Sequence, residues 1–167
     1  MEYKKQYIPP SPQKRPQIKL LYPKYLTIHS NESEQGTAQK EHDFLVKKGN
    51  NKMFSFHIVV DDTMAIECVP LTEVAWHAGD GRGDGNMKSL SILICQAKDK
   101  KKAWRNAAIL AAQILVAKNW SIEQIVQHYY WNRKDCPSIL REENKWELWL
   151  DEVVKEMACL LYTSRCV

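Results

Sequence analysis

Ser89-Leu90-Ser91-Ile92-Leu93-Ile94-Cys95 is the stretch on which the fold turns. From Leu90 onward it is a continuous apolar run of strand length, the pattern of a β-strand buried on both faces. Such a strand needs cover on each side, and the flanking sequence supplies it. Downstream, Ala103–Lys118 is Ala-rich with helical spacing and predicts a helix over one face of a sheet. Upstream, Tyr25-Leu26-Thr27-Ile28-His29 is β-branched and aromatic and predicts a second short buried strand, ending in the polar loop Ser30–Gly36. Thr37–Lys48 follows as a helix, with Thr37 as its cap, Ala38, Phe44 and Leu45 on its apolar side, and Gly49 as its stop. Phe54–Asp61 and Met64–Val69 are two strands about Asp61-Asp62-Thr63, a hairpin signal. Thr72–His77 is a further short strand or extended segment. Ser121-Ile122-Glu123-Gln124 reads as a helix start. Trp146, Leu150, Val153, Val154 and Met157 recur at helical intervals, so Trp146–Leu161 is a closing amphipathic helix. The expectation is an α/β fold: one domain over residues 25–162, with a mixed central β-sheet flanked by helices. Residues 1–24, with Pro9, Pro10, Pro12, Pro16 and Pro23, are expected to form an extended N-terminal arm.

Composition narrows the class without naming a function. The chain has 167 residues, 44% hydrophobic and 26% charged, which is enough to bury one core without staples. A net charge of +4 is no nucleic-acid footprint, so no nucleic-acid partner is expected. The longest uncharged run, Asn106–Ala117, falls short of the roughly 18–20 residues of a membrane span. Met1–Pro12 is charged and Pro-rich with no apolar segment of the secretory kind, so synthesis in the cytoplasm without a signal peptide is expected. A monomer is the expected state.

The chemistry-bearing residues are few. Cys68, Cys95, Cys136, Cys159 and Cys166 are odd in number and lack CxxC spacing, so they describe neither a disulfide framework nor a zinc ribbon. A small buried hydrophobe is the plain role for a free cysteine, and it suits Cys95 and Cys68 inside apolar runs. It suits Cys136 poorly, between Asp135 and Pro137. Of the histidines, His29 stands where a strand meets a loop, the position from which α/β folds present ligands. His128 lies eight residues before Cys136. Two histidines and one cysteine would make a three-ligand zinc site with the fourth position open, the arrangement of catalytic rather than structural zinc. Zinc so held acidifies water and polarises a carbonyl oxygen, which suits amide hydrolysis. The run His77–Asn86 holds four of the six glycines. It lacks the GK[ST] ending of a phosphate loop. As a calcium loop it fails, with Arg82 at the third place and Ser91 at the twelfth. A flexible surface loop at the rim of a site is the expectation.

Four runs in order carry a resemblance: Leu26-Thr27-Ile28-His29, Ser55-Phe56-His57-Ile58-Val59-Val60-Asp61-Asp62, Ala75-Trp76-His77-Ala78-Gly79-Asp80-Gly81, and His128-Tyr129-Tyr130-Trp131-Asn132-Arg133-Lys134-Asp135-Cys136-Pro137. Together they resemble the zinc-dependent N-acetylmuramoyl-L-alanine amidases of the type 2 family. That family includes phage endolysins and autolysins and shares its fold with peptidoglycan recognition proteins. The resemblance implies hydrolysis of the amide between N-acetylmuramic acid and L-alanine, peptidoglycan or a muropeptide as partner, Zn2+ as cofactor, and action at the bacterial cell wall after release. It places His29, His128 and Cys136 on the metal ligands. Lys134 falls on a basic residue beside the scissile carbonyl, where its ammonium would steady the developing oxyanion. Trp76 and His77 fall on the stretch bordering the substrate groove, and His57 on a position facing the metal or lining that groove. The remaining cysteines, Cys68, Cys95, Cys159 and Cys166, revert to core filler.

Two positions depart from the family. The endolysin branch reads Ser-Ile-x-Ile-Glu-Ile-Cys on the buried strand with Glu as catalytic base, and here Leu93 stands at the Glu position. Another branch uses a Tyr just before the motif histidine, and here that residue is Phe56. Three readings follow: crippled catalysis, a different base such as His57 or Asp135, or a zinc-containing module that binds peptidoglycan without cutting it.

Overall fold

The computed structural model describes residues 1–163. Six strands, β1 (Glu2–Lys5), β2 (Tyr25–Ser30), β3 (Ile58–Val60), β4 (Met64–Glu67), β5 (Ser89–Ile94) and β6 (Ile125–Gln127), form one sheet in the order β1-β4-β3-β5-β2-β6. β3 and β4 run antiparallel. Every other neighbouring pair is parallel, so the sheet is mixed. Its helices are α1 (Ala38–Val46), α2 (Asp84–Met87), α3 (Lys100–Lys118), α4 (Tyr129–Asn132), α5 (Ser138–Arg141) and α6 (Lys145–Thr163).

Side chains alternate across a strand, so each face of the sheet has its own packing. Leu26, Ile28, Ile58, Val60, Leu90, Ile92 and Ile94 join Ala107, Ala108, Ala111 and Ala112 of α3 and Trp149 and Val153 of α6 in one buried cluster. The alanines let α3 lie close to the sheet, and the Trp149 indole ties α6 to the Trp104 carbonyl of α3 at 3.0 Å. The opposite face buries Val59, Ile66, Leu93 and Cys95 against Ala38 and Leu45 of α1 and Ile8. β5 is buried along its whole length.

Local chemistry explains the hairpin and the helix beside it. Asp61 Oδ1 accepts from the Thr63 and Met64 amides at 2.6 and 2.8 Å, closing the β3–β4 turn. Its Oδ2 accepts from the Ala38 amide at 2.8 Å, an unsatisfied donor of the first turn of α1. Thr37 caps that helix through the Lys40 amide at 3.2 Å. Within α1, Ala38, His42 and Leu45 face inward at helical spacing, while Phe44, expected on the apolar side, is 43% exposed.

Residues 1–24 are woven into the sheet and are not extended throughout: a turn closes over Ser11–Arg15, and Gln17 and Tyr22 take left-handed φ values. β1 pairs with the outer edge of β4, Ile8 donates to the Cys68 carbonyl at 2.9 Å, and the Ile8 side chain is buried. Proline cannot donate to a ladder, so the paired strand is confined to the Pro-free residues at the start. Arg15 then clamps Glu73 through two bonds of 2.8 and 2.7 Å. Thr72–His77 is extended without being a strand, held by Leu20 N to Thr72 O and Val74 N to Ile18 O, each 2.8 Å.

The glycine-rich run is not the free loop expected. It leads into α2, buries Gly85 and Asn86, and is bonded through Asp80. The four described cysteines are free thiols. Cys68, Cys95 and Cys136 are buried, whereas Cys159 is exposed on α6 rather than in the core, and Cys166 lies outside the described residues. No helix among the described residues is long and apolar enough to cross a membrane.

Candidate functional site

Parallel strands deliver their carboxyl ends to the same side of a sheet. β2 and β6 pair in parallel with Ile28 opposite Gln127, so the next residues, His29 and His128, emerge together. Their ring centroids are 4.6 Å apart. The chain then makes one turn, α4, and reverses through Arg133, whose left-handed φ of 65° accompanies a bond from the Tyr129 amide to the Cys136 carbonyl at 3.0 Å. That reversal sets Cys136 Sγ 3.7 Å from His29 Nδ1. One ligand atom each from His29, His128 and Cys136 lies within 4.8 Å of the others, and all three residues are buried.

The donor set suits a metal ion. His128 bonds through Nε2 to the Ala78 carbonyl at 3.0 Å, and its Nδ1 is buried with no hydrogen-bond partner. His29 bonds through Nε2 to His77 Nδ1 at 3.1 Å, leaving its own Nδ1 toward Cys136. A buried polar atom without a partner is costly, and a cation is the partner that an imidazole lone pair accepts. Burial, with His77 and His128 adding to it, holds His29 neutral by pushing its pKa well below the usual histidine value. Burial lowers His128 as well. Burial also raises the Cys136 thiol, so a thiolate here calls for a compensating cation. Two imidazoles and a thiolate with room for a fourth ligand are the donors of an open zinc site.

A cleft of about 260 Å³ opens over these residues. Met53, Phe54, Phe56 and Trp76 give it an apolar lining, and Ser30, Asn132 and Lys134 a polar one. Lys134 is close enough that its charge depresses the pKa values of His29 and His128. Trp76 is fixed by its indole N–H, which donates to the Pro12 carbonyl at 2.8 Å, so the arm braces the cleft wall. His77 reaches the cleft but is 4% exposed, and its nitrogens are directed to His29 and Ser89.

His57 is not in the cleft. It is fully buried, its Nδ1 accepts from the Ser91 amide at 3.1 Å, and its Nε2 is 2.9 Å from the Glu73 carbonyl. Burial pushes its pKa down to about 4. The reason is strand geometry: His57 precedes β3, beside Ser91 of β5, and its side chain is trapped between sheet and the Glu73 segment. Asp135 points away as well, paired with Arg141 at 2.6 Å. Leu93 pairs in register with His29 and packs among Val59, Leu45 and Phe56. Phe56 meets the His29 ring edge-on at 5.1 Å. The His29, His128 and Cys136 cluster is therefore backed by an apolar wall where the resemblance leads one to expect a carboxylate or phenol.

Asn132 is a cleft residue that sequence reasoning missed. Its position four residues after His128, on the same side of one helical turn, was the available signal. Its Nδ2 donates to the Ala78 carbonyl at 2.9 Å, the acceptor that also holds His128.

Comparison with known proteins agrees with this geometry. The family model for N-acetylmuramoyl-L-alanine amidase matches residues 19–139. The N-acetylmuramoyl-L-alanine amidase XlyB of Bacillus subtilis (strain 168) is 36% identical over 138 residues, covering 80% of this chain and 43% of XlyB. The amidase CwlA of the same organism is 37% identical over 127 residues, covering 73% of this chain and 46% of CwlA. The chain thus spans less than half the length of these curated relatives. Among solved structures, the catalytic domain of XlyA superposes with a TM-score of 0.83 at 32% identity, covering 92% of this chain and 99% of that domain. With the match running through β2, the glycine-rich run and the His128–Cys136 turn, the chain belongs to the N-acetylmuramoyl-L-alanine amidase family.

Proposed function

We propose that the protein is a peptidoglycan amidase that uses zinc to hydrolyse the bond between N-acetylmuramic acid and the L-alanine of the stem peptide. The observation that carries this reading is the orphaned His128 Nδ1 beside His29 Nδ1 and Cys136 Sγ at the floor of a cleft. His29, His128 and Cys136 would hold the metal. Zinc there would supply Lewis-acid polarisation of the scissile carbonyl and an activated water.

The chain's own residues do the rest. Phe54, Phe56 and Trp76 form an apolar lining that excludes bulk water and strengthens every charge interaction inside. Lys134, on the turn that delivers Cys136, presents an ammonium to the oxygen that gains charge as the carbonyl is attacked. Trp76, braced by the arm, borders the groove for the substrate. The site of action on this reading is the bacterial cell wall, reached after release from the cytoplasm.

Proton transfer is the weak step. His57 and Asp135 are both committed elsewhere, and the wall behind the metal cluster is Leu93 and Phe56. A positioned general base contributes about 10²–10⁴-fold, so slow hydrolysis is expected. That same wall favours a second reading, a zinc-containing module that binds peptidoglycan and cuts it poorly.

Elemental analysis and product analysis test these readings together. Purified protein is expected to carry zinc, and Cys136→Ser to lose it; full zinc in Cys136→Ser would remove Cys136 from the site. Digestion of purified walls is expected to release stem peptides with new L-alanine amino termini, slowly and only with zinc present. Walls that bind the protein yet yield no such termini favour the binding module.

A further inference from the structure

We propose that Asn86 and His77 are positioning residues for the metal centre: one side-chain oxygen, Asn86 Oδ1, clamps the His77-Ala78 backbone, and that dipeptide orients both imidazole ligands. The role rests on the reading of His29, His128 and Cys136 as a metal site.

Asn86 is 2% exposed, and its Oδ1 accepts from the His77 and Ala78 amides at 2.7 and 2.8 Å. Its Nδ2 donates to the Gly81 carbonyl at 2.9 Å, and its own amide donates to Asp80 Oδ1 at 3.2 Å. Both ends of the side-chain amide are therefore bonded to the backbone of one short stretch. From that stretch two bonds leave in the direction of the cluster. The His77 ring meets His29 Nε2 at 3.1 Å, and the Ala78 carbonyl meets His128 Nε2 at 3.0 Å.

The chemical consequence is a choice of tautomer. A carbonyl oxygen only accepts, so His128 must carry its hydrogen on Nε2 and present a bare Nδ1. His77 faces Ser89 on its other side, with Nε2 3.4 Å from the Ser89 carbonyl and 3.3 Å from Ser89 Oγ. That carbonyl draws the hydrogen of His77 to Nε2, which makes His77 Nδ1 an acceptor and places the hydrogen of His29 on Nε2. Both ligands then offer Nδ1 lone pairs to the same point. Partners of this outer kind set ligand orientation and typically carry about 10–100-fold in metal affinity.

The glycine-rich run is built to hold this clamp. A Cβ at Gly85 would lie 2.5 Å from the Ala78 Cβ, and one at Gly83 would lie 2.4 Å from Asp80 Oδ2. Gly79, with φ +70°, would bring a Cβ 2.4 Å from Asn132 Nδ2. The glycines let Asp80, Asn86 and the dipeptide approach to bonding distance.

Zinc affinity, measured by competition with a chromophoric chelator, tests the role without any substrate, so its loss and the loss of amide hydrolysis are separate results. His77→Leu is expected to weaken zinc binding by about 10–100-fold and to alter the visible spectrum of the Co2+-loaded protein. His77→Asn, whose Oδ1 falls near the place of the ring Nδ1, is expected to restore most of the affinity. Parent-like affinity in His77→Leu, or His77→Asn no tighter than His77→Leu, would overturn the role. Should His77→Leu fail to fold, 15N shifts of the imidazoles in the zinc-free parent decide: Nε2–H tautomers at His29 and His128 are expected, and an Nδ1–H form at either one sinks the proposal.

Discussion

Leu90, Ile92 and Ile94 leave β5 on one side of the sheet, and Ser89, Ser91 and Leu93 leave it on the other. Both sets are buried, yet they meet different demands. The first set packs on the alanines of α3 and on α6 and needs only shape and apolar area. The second set supports buried imidazoles, and each of its polar members is bonded: Ser89 to the His77 side and to Thr27 Oγ1 at 2.9 Å, Ser91 to His57. Leu93 breaks that pattern beside His29, one of the proposed metal ligands. One face of this strand carries stability, and the other carries a polar scaffold that stops one residue short of the chemistry.

Leu93→Glu is the sharpest way to probe that gap. A carboxylate on the scaffold face is expected to raise release of L-alanine amino termini from purified walls by about 10²–10⁴-fold, at some loss of stability from the buried charge. No gain in rate would mean that the apolar wall does not limit hydrolysis. Ile92→Ala probes the other face. It is expected to cost about 2–5 kcal/mol in denaturant unfolding and to leave zinc stoichiometry unchanged. Loss of zinc in that variant would erase the distinction between the faces. Ser91→Ala has the smallest expected effect, about 1–3 kcal/mol, because it strips one partner from the buried His57 while the Ser91 amide still donates to the ring. Its zinc affinity is expected to match the parent, since His57 does not touch the proposed ligands. A zinc defect there would extend the scaffold one layer further than His77.

The division between the faces was only half legible in the sequence. The apolar run over β5 announces burial on both sides, and the hairpin, α3 and α6 are readable from turn residues and helical spacing. Alternation also places Ser89, Ser91 and Leu93 on a common face, but nothing local tells which partners that face meets. The partners come from far along the chain: His77 from an extended segment, His57 from the lead-in to β3, and Glu73 from a loop clamped by Arg15. The arm illustrates the same limit. Its prolines signal only where ladder pairing must stop, and its pairing with β4 depends on the open edge left by the antiparallel hairpin. Phe44 and His42 exchange the positions that hydrophobicity would assign, because the rotation of α1 is set by the Asp61 and Thr37 caps and by the face it meets.

By itself the sequence determined the class of the fold, the order of its principal elements, and the family to which the His29, His77 and His128–Cys136 runs belong. Fold class and element order depend on periodicity and turn chemistry, which are local, and the family rests on the resemblance of four runs in order. Only the tertiary structure decided that His57 is sealed away from the cleft, that the glycine-rich run is a bonded frame rather than a loose rim, and that His128 Nδ1 is left bare. Those outcomes depend on which buried polar groups find partners, and partners 16 to 50 residues apart are chosen by the packing of strands, not by the residues on either side.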